Sequence, residues 1–372
     1  MTSRERLMAA ITGEPPDRVP VKIWALNKKT VAKHPSYQPI IDAGLKMTDL
    51  VGNWRMNRGW FLSAVEPESH TEERPAQREE WIEVATTYET PEGPLTCSAL
   101  RNIHGKPGYR AEHMIKSKDD WRKILSVPYE PIREDCSGFA QTDAQMGDDG
   151  IVMVSTGGHP LYSVNMHIGS ELFAIWSIEE RAFIHEMLDE MLRRQMDYLK
   201  WILGQGVRAV FSYVGPELCI PPLQSVRDFH EFVVDYDRRF IDLIHDAGGW
   251  VWCHSHGNMD PVLEGFMEMG VDCLNPCEPP PIGSTTLADL RRRAGDRMTL
   301  EGNIEKHDLL TETPDAIRQK VRQAIREGAP GGRFILCPTT GFMEWPTCEP
   351  KVVENWIAYM AAGREYGRYP VD

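Results

Sequence analysis

The alternation of strands and helices is clearest in residues 250–276, which read WVWCHSHGNMDPVLEGFMEMGVDCLNP. The pattern predicts an apolar strand over Trp250–His254, a helix over Met259–Met269 and a second strand over Cys273–Pro276. A strand, a crossover helix and a further strand form the repeating unit of a parallel sheet. The same order continues on both sides of this unit.

Eight such units are predicted, because the strands Val19–Trp24 and Asp49–Trp54 add to six later ones. Eight units favour an α/β fold, a (β/α)8 TIM barrel. The alternative, a doubly wound open sheet, lacks a Gly-rich dinucleotide motif or a P-loop after any predicted strand. The remaining strands are predicted over Ile151–Ser155, Ala209–Tyr213, Met298–Glu301 and Phe334–Cys337, and the remaining helices over residues 1–12, Ile178–Leu203, Ser225–Ala247, Thr286–Ala294, Thr313–Glu327 and Lys351–Ala362.

One region departs from this alternation. Residues Trp81–Tyr88 and Leu95–Leu100 are rich in strand-forming residues and flank a turn that contains Gly93, which predicts a β-hairpin. We therefore predict a single barrel domain over residues 1–372, with an N-terminal extension and a hairpin inserted at about residues 66–110.

The composition excludes several classes of protein. The chain of 372 residues carries 41 Lys and Arg against 55 Asp and Glu, a net charge of −14. This balance argues against binding to nucleic acid or to an anionic membrane surface. No apolar run approaches the roughly 18–20 residues of a membrane span, and no signal-peptide pattern is present, so we expect a cytoplasmic protein. The eight cysteines include no CxxC pair and are expected to be free thiols unless one binds metal.

The most specific candidate site is His254-Ser255-His256, directly after a predicted strand. Residues two apart on an extended segment point to the same side, so both imidazoles can face one point. Two neutral imidazoles suit zinc, and Cys337 or Glu278 could complete a three-ligand site with an open position. The alternative is that both histidines bind substrate or carboxylates without a metal.

Further polar residues follow predicted strands, where barrel enzymes place their active sites. Glu217 and Glu278 lie next to prolines and suit a metal ligand, a general base or a partner of a basic substrate group, with a solvated loop residue as the alternative. We predict catalytic roles for Glu217, His159 and Asn303, and a substrate-binding role for Trp24, Tyr213 and Thr340.

Motifs near both ends of the chain occur in a characteristic combination: Arg4–Ile11 followed by Pro16–Val21, then Gly302-Asn303-Ile304, Thr313–Ile317, Gly331–Leu336 and Arg364–Pro370. Together they resemble the uroporphyrinogen decarboxylase-like superfamily, over nearly the whole chain and most loosely between residues 55 and 145. The resemblance implies a (β/α)8 barrel. The superfamily holds true decarboxylases and also zinc-dependent methyltransferases, which move methyl groups to or from a corrinoid or a thiol.

The resemblance is closer to the methyltransferase branch. The decarboxylases carry arginines in an N-terminal segment that has none here, Lys22–Lys29, and a histidine where this chain has Thr339-Thr340. The methyltransferases use a His-x-Cys pair and a cysteine after the last strand. His254-Ser255-His256 falls on the first of these, with histidine in place of the cysteine, and Cys337 lies three residues before the position of the second. The resemblance thus implies zinc and a corrinoid carried by a partner protein.

These observations predict a metal-dependent methyltransferase or demethylase that acts on a small methylated substrate, with a corrinoid protein as methyl acceptor. One alternative is a metal-free decarboxylase or lyase in which His254 and His256 act as acid and base. Another is a non-catalytic partner that binds a corrinoid or a small molecule. The sequence leaves the oligomeric state open, a homodimer included.

Overall fold

A computed structural model describes residues 1–343 and 345–371. The helices are α1 (Ser3–Thr12), α2 (Gln38–Met47), α3 (Lys118–Ser126), α4 (Ser137–Met146), α5 (Pro160–Glu179), α6 (Arg181–Gly204), α7 (Val226–Phe229), α8 (Asp235–Asp246), α9 (Leu263–Glu268), α10 (Leu287–Ala294), α11 (Lys306–Thr311), α12 (Pro314–Gly328) and α13 (Pro350–Tyr366). The strands are β1 (Leu50–Arg55), β2 (Ser69–Pro75), β3 (Trp81–Thr90), β4 (Gly93–Asn102), β5 (Tyr109–Glu112), β6 (Gly150–Gly158), β7 (Val210–Val214), β8 (Trp250–His254), β9 (Cys273–Asn275), β10 (Thr299–Ile304) and β11 (Phe334–Pro338).

The described residues divide into two compact units. One unit comprises residues 1–56, 135–159 and 202–372 and contains the parallel sheet. The other comprises residues 57–134 and 160–201 and contains an antiparallel sheet. None of the helices described combines the length and the apolar character that a membrane span requires.

The parallel sheet confirms the α/β class that the alternation predicts. In the described chain it has seven strands in the order β1-β6-β7-β8-β9-β10-β11, each parallel to its neighbours. Inward side chains from these strands, among them Val51, Met153, Val210 and Trp252, pack with Leu7 and Ile11 of α1 in one apolar core. The polar residues that follow the strands therefore lie at the carboxyl edge of the sheet.

The segment predicted as the first strand pairs with both edges of this sheet at a single residue. Val21 forms a parallel bridge with Leu336 of β11, and its carbonyl accepts from the amide of Asp49, which precedes β1, at 2.7 Å. Lys22 also donates its amide to the Leu336 carbonyl at 2.9 Å.

The inserted region is larger than the predicted hairpin. β3 and β4 are the predicted strands, but β2 and β5 flank them in a four-stranded antiparallel sheet. β2 is exposed at every position and consists mostly of polar residues, so it lacks the apolar alternation that identifies a half-buried strand.

Two helices also differ from their prediction. The helix expected over Ser225–Ala247 is interrupted by a π-helical turn, His230–Val234, between α7 and α8. Helix α5 was not predicted; its backbone departs from helical geometry at Gly169, where φ is 79°. A glycine at such a position removes the continuous helical pattern on which the prediction depends.

Candidate active site

A buried series of hydrogen bonds lies beneath His254 at the carboxyl edge of the sheet. Its Nδ1 is 2.8 Å from the Asn275 Oδ1, and the Asn275 Nδ2 donates to the Glu301 Oε1 at 2.8 Å. Glu301 also accepts from the Lys22 Nζ at 2.7 Å and from the Trp252 Nε1 at 2.9 Å. Asn275 and Glu301 are completely buried, so each bond replaces a contact with water.

This series determines which nitrogen of His254 carries hydrogen. The Asn275 amide NH2 must face the Glu301 carboxylate, so its carbonyl oxygen faces His254. The Nδ1 of His254 is therefore the donor, and the Nε2 keeps a lone pair. Burial lowers the pKa of His254 to about 4, which keeps the ring neutral near pH 7.

His256 is likewise oriented by a hydrogen bond at its Nδ1, in this case to a carboxylate. Its Nδ1 is 2.9 Å from the Glu278 Oε1, while the Glu278 Oε2 accepts from the Gly257 amide at 2.6 Å. The hydrogen bond to Glu278 raises the pKa of His256. The two imidazole rings lie 4.5 Å apart, and within the described residues neither Nε2 has a hydrogen-bond partner. The Nε2 lone pair of His254 is thus free for a ligand, and so is that of His256 when its ring is neutral.

Two further carboxylates near this pair have an oxygen without a partner among the described residues. Glu217 lies in the turn after β7, and its Oε2 is buried and unpaired; burial raises its pKa. Glu305 follows β10, and its Oε1 is likewise unpaired. Burial, and secondarily the negative charge of Glu278, raise the pKa of Glu305 to about 7. The electrostatic influence of both carboxylates reaches His256.

The two other predicted metal ligands, Glu278 and Cys337, are both buried. Both oxygens of Glu278 are occupied, one by His256 and one by the Gly257 amide. Cys337 is completely buried next to the charges of Lys22 and Glu301, and burial raises its pKa well above the usual range. Among the described residues, no three His, Cys, Asp or Glu side chains are grouped closely enough to hold a metal ion.

His159 and Tyr213 lie on the helix side of the sheet. His159 is completely buried, and its Nδ1 is 3.0 Å from the Asp237 Oδ1 of α8, whereas its Nε2 has no partner within the described residues. The Tyr213 ring lies 5.2 Å from Phe240 of α8 and 6.0 Å from His159. The predicted substrate contact of Tyr213 therefore does not fit its position, because odd-numbered residues of β7 face the helices.

The other predicted site residues are Trp24, Thr340 and Asn303, and Asn303 lies apart from the first two. The Trp24 ring is 5.1 Å from His254, and its Nε1 donates to the Pro338 carbonyl at 3.0 Å, so Trp24 forms a wall beside the histidines. Thr340 follows β11 shortly after Pro338 and accepts from the Gly341 amide at 2.7 Å. Asn303 instead lines a separate cavity of about 160 Å³ together with residues of α10 and α12.

Sequence reasoning did not identify Lys22, Asn275, Glu301, Glu305 or Asp237 as parts of the site. A signal was present for two of them. Lys22 and Glu301 are charged residues inside apolar predicted strands, and a charge in such a place is buried only when it is paired. Asp237 gave no comparable signal, because a charged residue in an amphipathic helix is ordinarily exposed.

The fold and the site define an α/β protein with a candidate active site at the carboxyl edge of a parallel sheet. The sequence model of the family described as Uroporphyrinogen decarboxylase (URO-D) matches residues 114–361 of this chain. The chain therefore belongs to the uroporphyrinogen decarboxylase family, which confirms the superfamily that its motifs predict.

Curated relatives match over a shorter stretch. The uroporphyrinogen decarboxylase of Pseudoalteromonas translucida is 26% identical over 164 residues, and that of Yersinia pestis (strain Pestoides F) is 28% identical over 159 residues. Each match covers 41% of this chain and 41% of the relative, so the chain spans about two fifths of the length of these relatives.

A solved structure is similar over nearly the whole chain. A methyltransferase from Methanosarcina mazei covers 98% of this chain and 99% of its own, with a TM-score of 0.60 and 18% sequence identity. At this identity the likeness concerns the fold.

Proposed function

We propose that this chain is an enzyme that transfers a methyl group to or from a small methylated substrate bound beside His254 and His256. One observation carries the proposal. Both imidazoles have Nδ1 engaged by an acceptor, their ring centres lie 4.5 Å apart, and neither Nε2 has a partner among the described residues. The overall likeness to a methyltransferase fold supports it. We also propose that Val21 closes the parallel sheet into a (β/α)8 barrel, because it pairs with both sheet edges.

The two imidazole nitrogens are donors of the kind that zinc prefers. Two imidazole nitrogens and one carboxylate oxygen form a common catalytic zinc site. Among the described residues no third donor is grouped closely enough with the histidines, so Glu217 or Glu305, each with an unpaired oxygen, would have to approach them to complete such a site. Glu278 orients His256 through its Nδ1. When bound, zinc would act as a Lewis acid towards a thiol or a methyl-bearing oxygen, nitrogen or sulfur.

The remaining residues would orient the substrate and control protons. Trp24 stacks edge-on against His254 and would shield the reacting group from water on that side. Whichever of Glu217 and Glu305 does not bind metal would hold a proton at its unpaired oxygen, since burial raises the pKa of both. A corrinoid protein is the methyl acceptor that we propose.

Metal analysis of the purified chain tests this proposal. We expect about one zinc per chain after reconstitution, loss of zinc in His254→Gln/His256→Gln, and retention in His245→Gln, a histidine of α8 outside the site. The same double variant should lose methyl transfer from a panel of methylated small molecules to cob(I)alamin. A reconstituted wild type without zinc would contradict the metal-dependent form.

A specific observation favours a second candidate, a metal-free decarboxylase or lyase. Glu305 has a pKa of about 7 and lies in the electrostatic field of His256, so the two could act as acid and base near neutral pH. This candidate predicts turnover of a carboxylic acid substrate that is insensitive to chelators. Inhibition by chelators with recovery on zinc addition would exclude it.

A further inference from the structure

A basic groove lies on the surface between α10 and α12, away from the two histidines. It encloses about 880 Å³, and its charged lining residues are Arg291, Arg292, Lys320, Arg322, Arg326 and Glu327. Five cations against one carboxylate surround this groove in a chain whose net charge is −14. The small side chain of Ala288 on α10 leaves the space between the two helices open.

The cations of this groove are unequally neutralised. Lys320 pairs with Asp308 at 3.1 Å, and Arg291 is buried and donates to backbone carbonyls. The other three arginines are exposed. Arg292 pairs with Asp289 at 3.1 Å, but both side chains are largely exposed, so the pair is weak. Arg322 and Arg326 have no carboxylate partner within the described residues, and Arg322 lies over the Tyr366 ring at 5.7 Å. The two arginines are four residues apart on α12 and are therefore neighbours. Like charges at this spacing destabilise a helix slightly, and a bound anion would reverse the effect.

A second cavity extends the groove towards the carboxyl edge of the sheet. The two share Lys320, Gln323 and Glu327 in their walls. The second cavity, of about 160 Å³, has apolar lining residues such as Leu287 and Ala324 and polar ones such as Asn303 of β10 and Asp308. The groove thus offers a basic outer part and a smaller inner part with mixed polar and apolar walls.

The chemistry of the walls favours a small anion over a protein partner. Protein interfaces depend on buried aromatic and aliphatic anchors. In the described part of the chain, the groove lining contains no aromatic residue, and Ala288 and Pro330 are its apolar members. Guanidinium groups, in contrast, match the paired oxygens of a phosphate with two hydrogen bonds each.

We propose that the basic groove binds a phosphorylated small molecule, with its phosphate at Arg322 and Arg326 and its uncharged part in the adjoining cavity. Lys320 stands where the two spaces meet and would contact the phosphate from the inner side. The site is separate from His254 and His256 and does not depend on the function proposed for them.

Titration calorimetry of the full chain with inorganic pyrophosphate tests the phosphate part of the site. We expect saturable binding that weakens about tenfold or more in Arg326→Gln and further in Arg322→Gln/Arg326→Gln, since each substitution removes hydrogen bonds between a charged guanidinium and the phosphate oxygens. Arg318→Gln is the matched control. Arg318 also lies on α12 but pairs with Glu365 and is not part of the groove, so pyrophosphate affinity should be unchanged.

Three results would overturn the proposal. The first is the absence of saturable pyrophosphate binding by the folded wild type. The second is equal displacement of pyrophosphate by sulfate at constant ionic strength, since the groove would then be a general counterion surface. The third is tighter binding of poly-glutamate than of pyrophosphate, which would assign the groove to an acidic protein partner. Circular dichroism of each variant confirms that a loss of binding does not come from unfolding.

Discussion

The state of individual atoms in the candidate site follows from the order of donors and acceptors around them. Lys22 can only donate, and Glu301 can only accept when it is ionised. Asn275 donates to Glu301 with its amide nitrogen and accepts from His254 with its carbonyl oxygen. His254 is the last member of this series, so its tautomer is determined by a lysine three hydrogen bonds away. A free Nε2 is therefore a property of the whole series and not of the histidine alone.

Replacing Asn275 by leucine should destabilise the protein and release the His254 tautomer. Leucine has a similar size but cannot accept from Nδ1, so a buried donor loses its partner at a cost of about 1–3 kcal/mol. Urea unfolding measures the change in the free energy of unfolding. The nitrogen chemical shifts of His254 should change from one tautomer to a mixture of two.

Trp252→Phe is the control for Asn275→Leu. It also removes a hydrogen bond to Glu301, but it leaves the bond between His254 and Asn275 in place. We expect a similar loss of stability with an unchanged His254 tautomer. A single unchanged tautomer in both variants would mean that Asn275 does not determine the protonation of His254.

Glu305 should make stability depend on pH near neutrality. Its pKa is about 7 in the folded protein and about 4.5 in an exposed glutamate. Between these values the folded state binds a proton that the unfolded state does not, so the free energy of unfolding contributed by Glu305 falls as pH rises. Glu305→Gln removes this contribution, and urea midpoints from pH 5 to pH 8 measure it.

The direction in which the stability difference between Glu305→Gln and the wild type changes with pH identifies a carboxylate that is protonated in the folded state. The variant should gain stability relative to the wild type as pH rises, because glutamine mimics the protonated acid at every pH. Curves for Glu305→Gln and the wild type that run parallel from pH 5 to pH 8 would contradict a buried, protonated Glu305.

The sequence identified the two histidines of this site but not the residues that orient them. The rings of His254 and His256 lie 4.5 Å apart, and their proximity could be predicted because alternation on an extended segment is a local property. Asn275 and Glu301 come from other strands, and only the register between β8, β9 and β10 brings them to His254. That register depends on long-range pairing, which a single sequence does not reveal.

At the scale of elements, α8 is attached to the end of β6 through one completely buried pair, Asp237 and His159. Removing either partner leaves the buried polar group of the other unpaired, whereas removing both takes away the two groups together. His159→Leu and Asp237→Leu should each cost about 3–5 kcal/mol, and the double variant should cost less than their sum by at least about 1 kcal/mol. Urea unfolding of all four proteins measures this coupling.

The pair His245 and Asp272 provides a matched comparison. It also joins α8 to the sheet, at 2.8 Å, but its side chains are partly exposed. Solvent screens such pairs, so the same double-mutant cycle should give a coupling below about 1 kcal/mol. A coupling at Asp237 and His159 no larger than this would show that burial does not strengthen the attachment of α8.

The elements that sequence predicts well are those whose side chains are buried on both faces. Strands β6 to β11 each contain a short apolar run, and all six were predicted in the observed order. β2 is exposed throughout and joins the antiparallel sheet by pairing with β3. That pairing does not produce an apolar pattern in the sequence of β2 itself. Helix α5 carries apolar residues at nearly all angles around its axis up to Gly169, so it has little amphipathic signal.

At the scale of the whole molecule, one carboxylate joins the N-terminal part of the chain to the parallel sheet. Asp49 precedes β1 and is completely buried. It accepts from Arg6 of α1 at 2.8 Å, from Arg18 at 2.8 and 2.9 Å, and from the Val21 amide at 2.9 Å. The same residue thus fixes a helix, the segment between the sheet edges and the start of β1.

Asp49→Ala should therefore loosen the sheet where Val21 pairs with both edges. Arg18 would remain buried without its anion and Arg6 would keep only Asp17, and removing one partner of a buried ion pair costs about 3–5 kcal/mol. We expect a fall of that size in the free energy of unfolding. Hydrogen exchange should also quicken at the amides of Val21 and Lys22, which bond to Asp49 and to Leu336.

Asp17→Ala separates this effect from a general loss of charge. Asp17 also pairs with Arg6, at 2.6 Å, but 43% of its side chain is exposed. Its removal should cost less than about 1 kcal/mol and should leave the exchange of the Val21 amide unchanged. If Asp49→Ala and Asp17→Ala lowered stability equally, with Val21 still protected, the sheet edges would be held together by backbone pairing alone, and the buried carboxylate would serve only to neutralise Arg6 and Arg18.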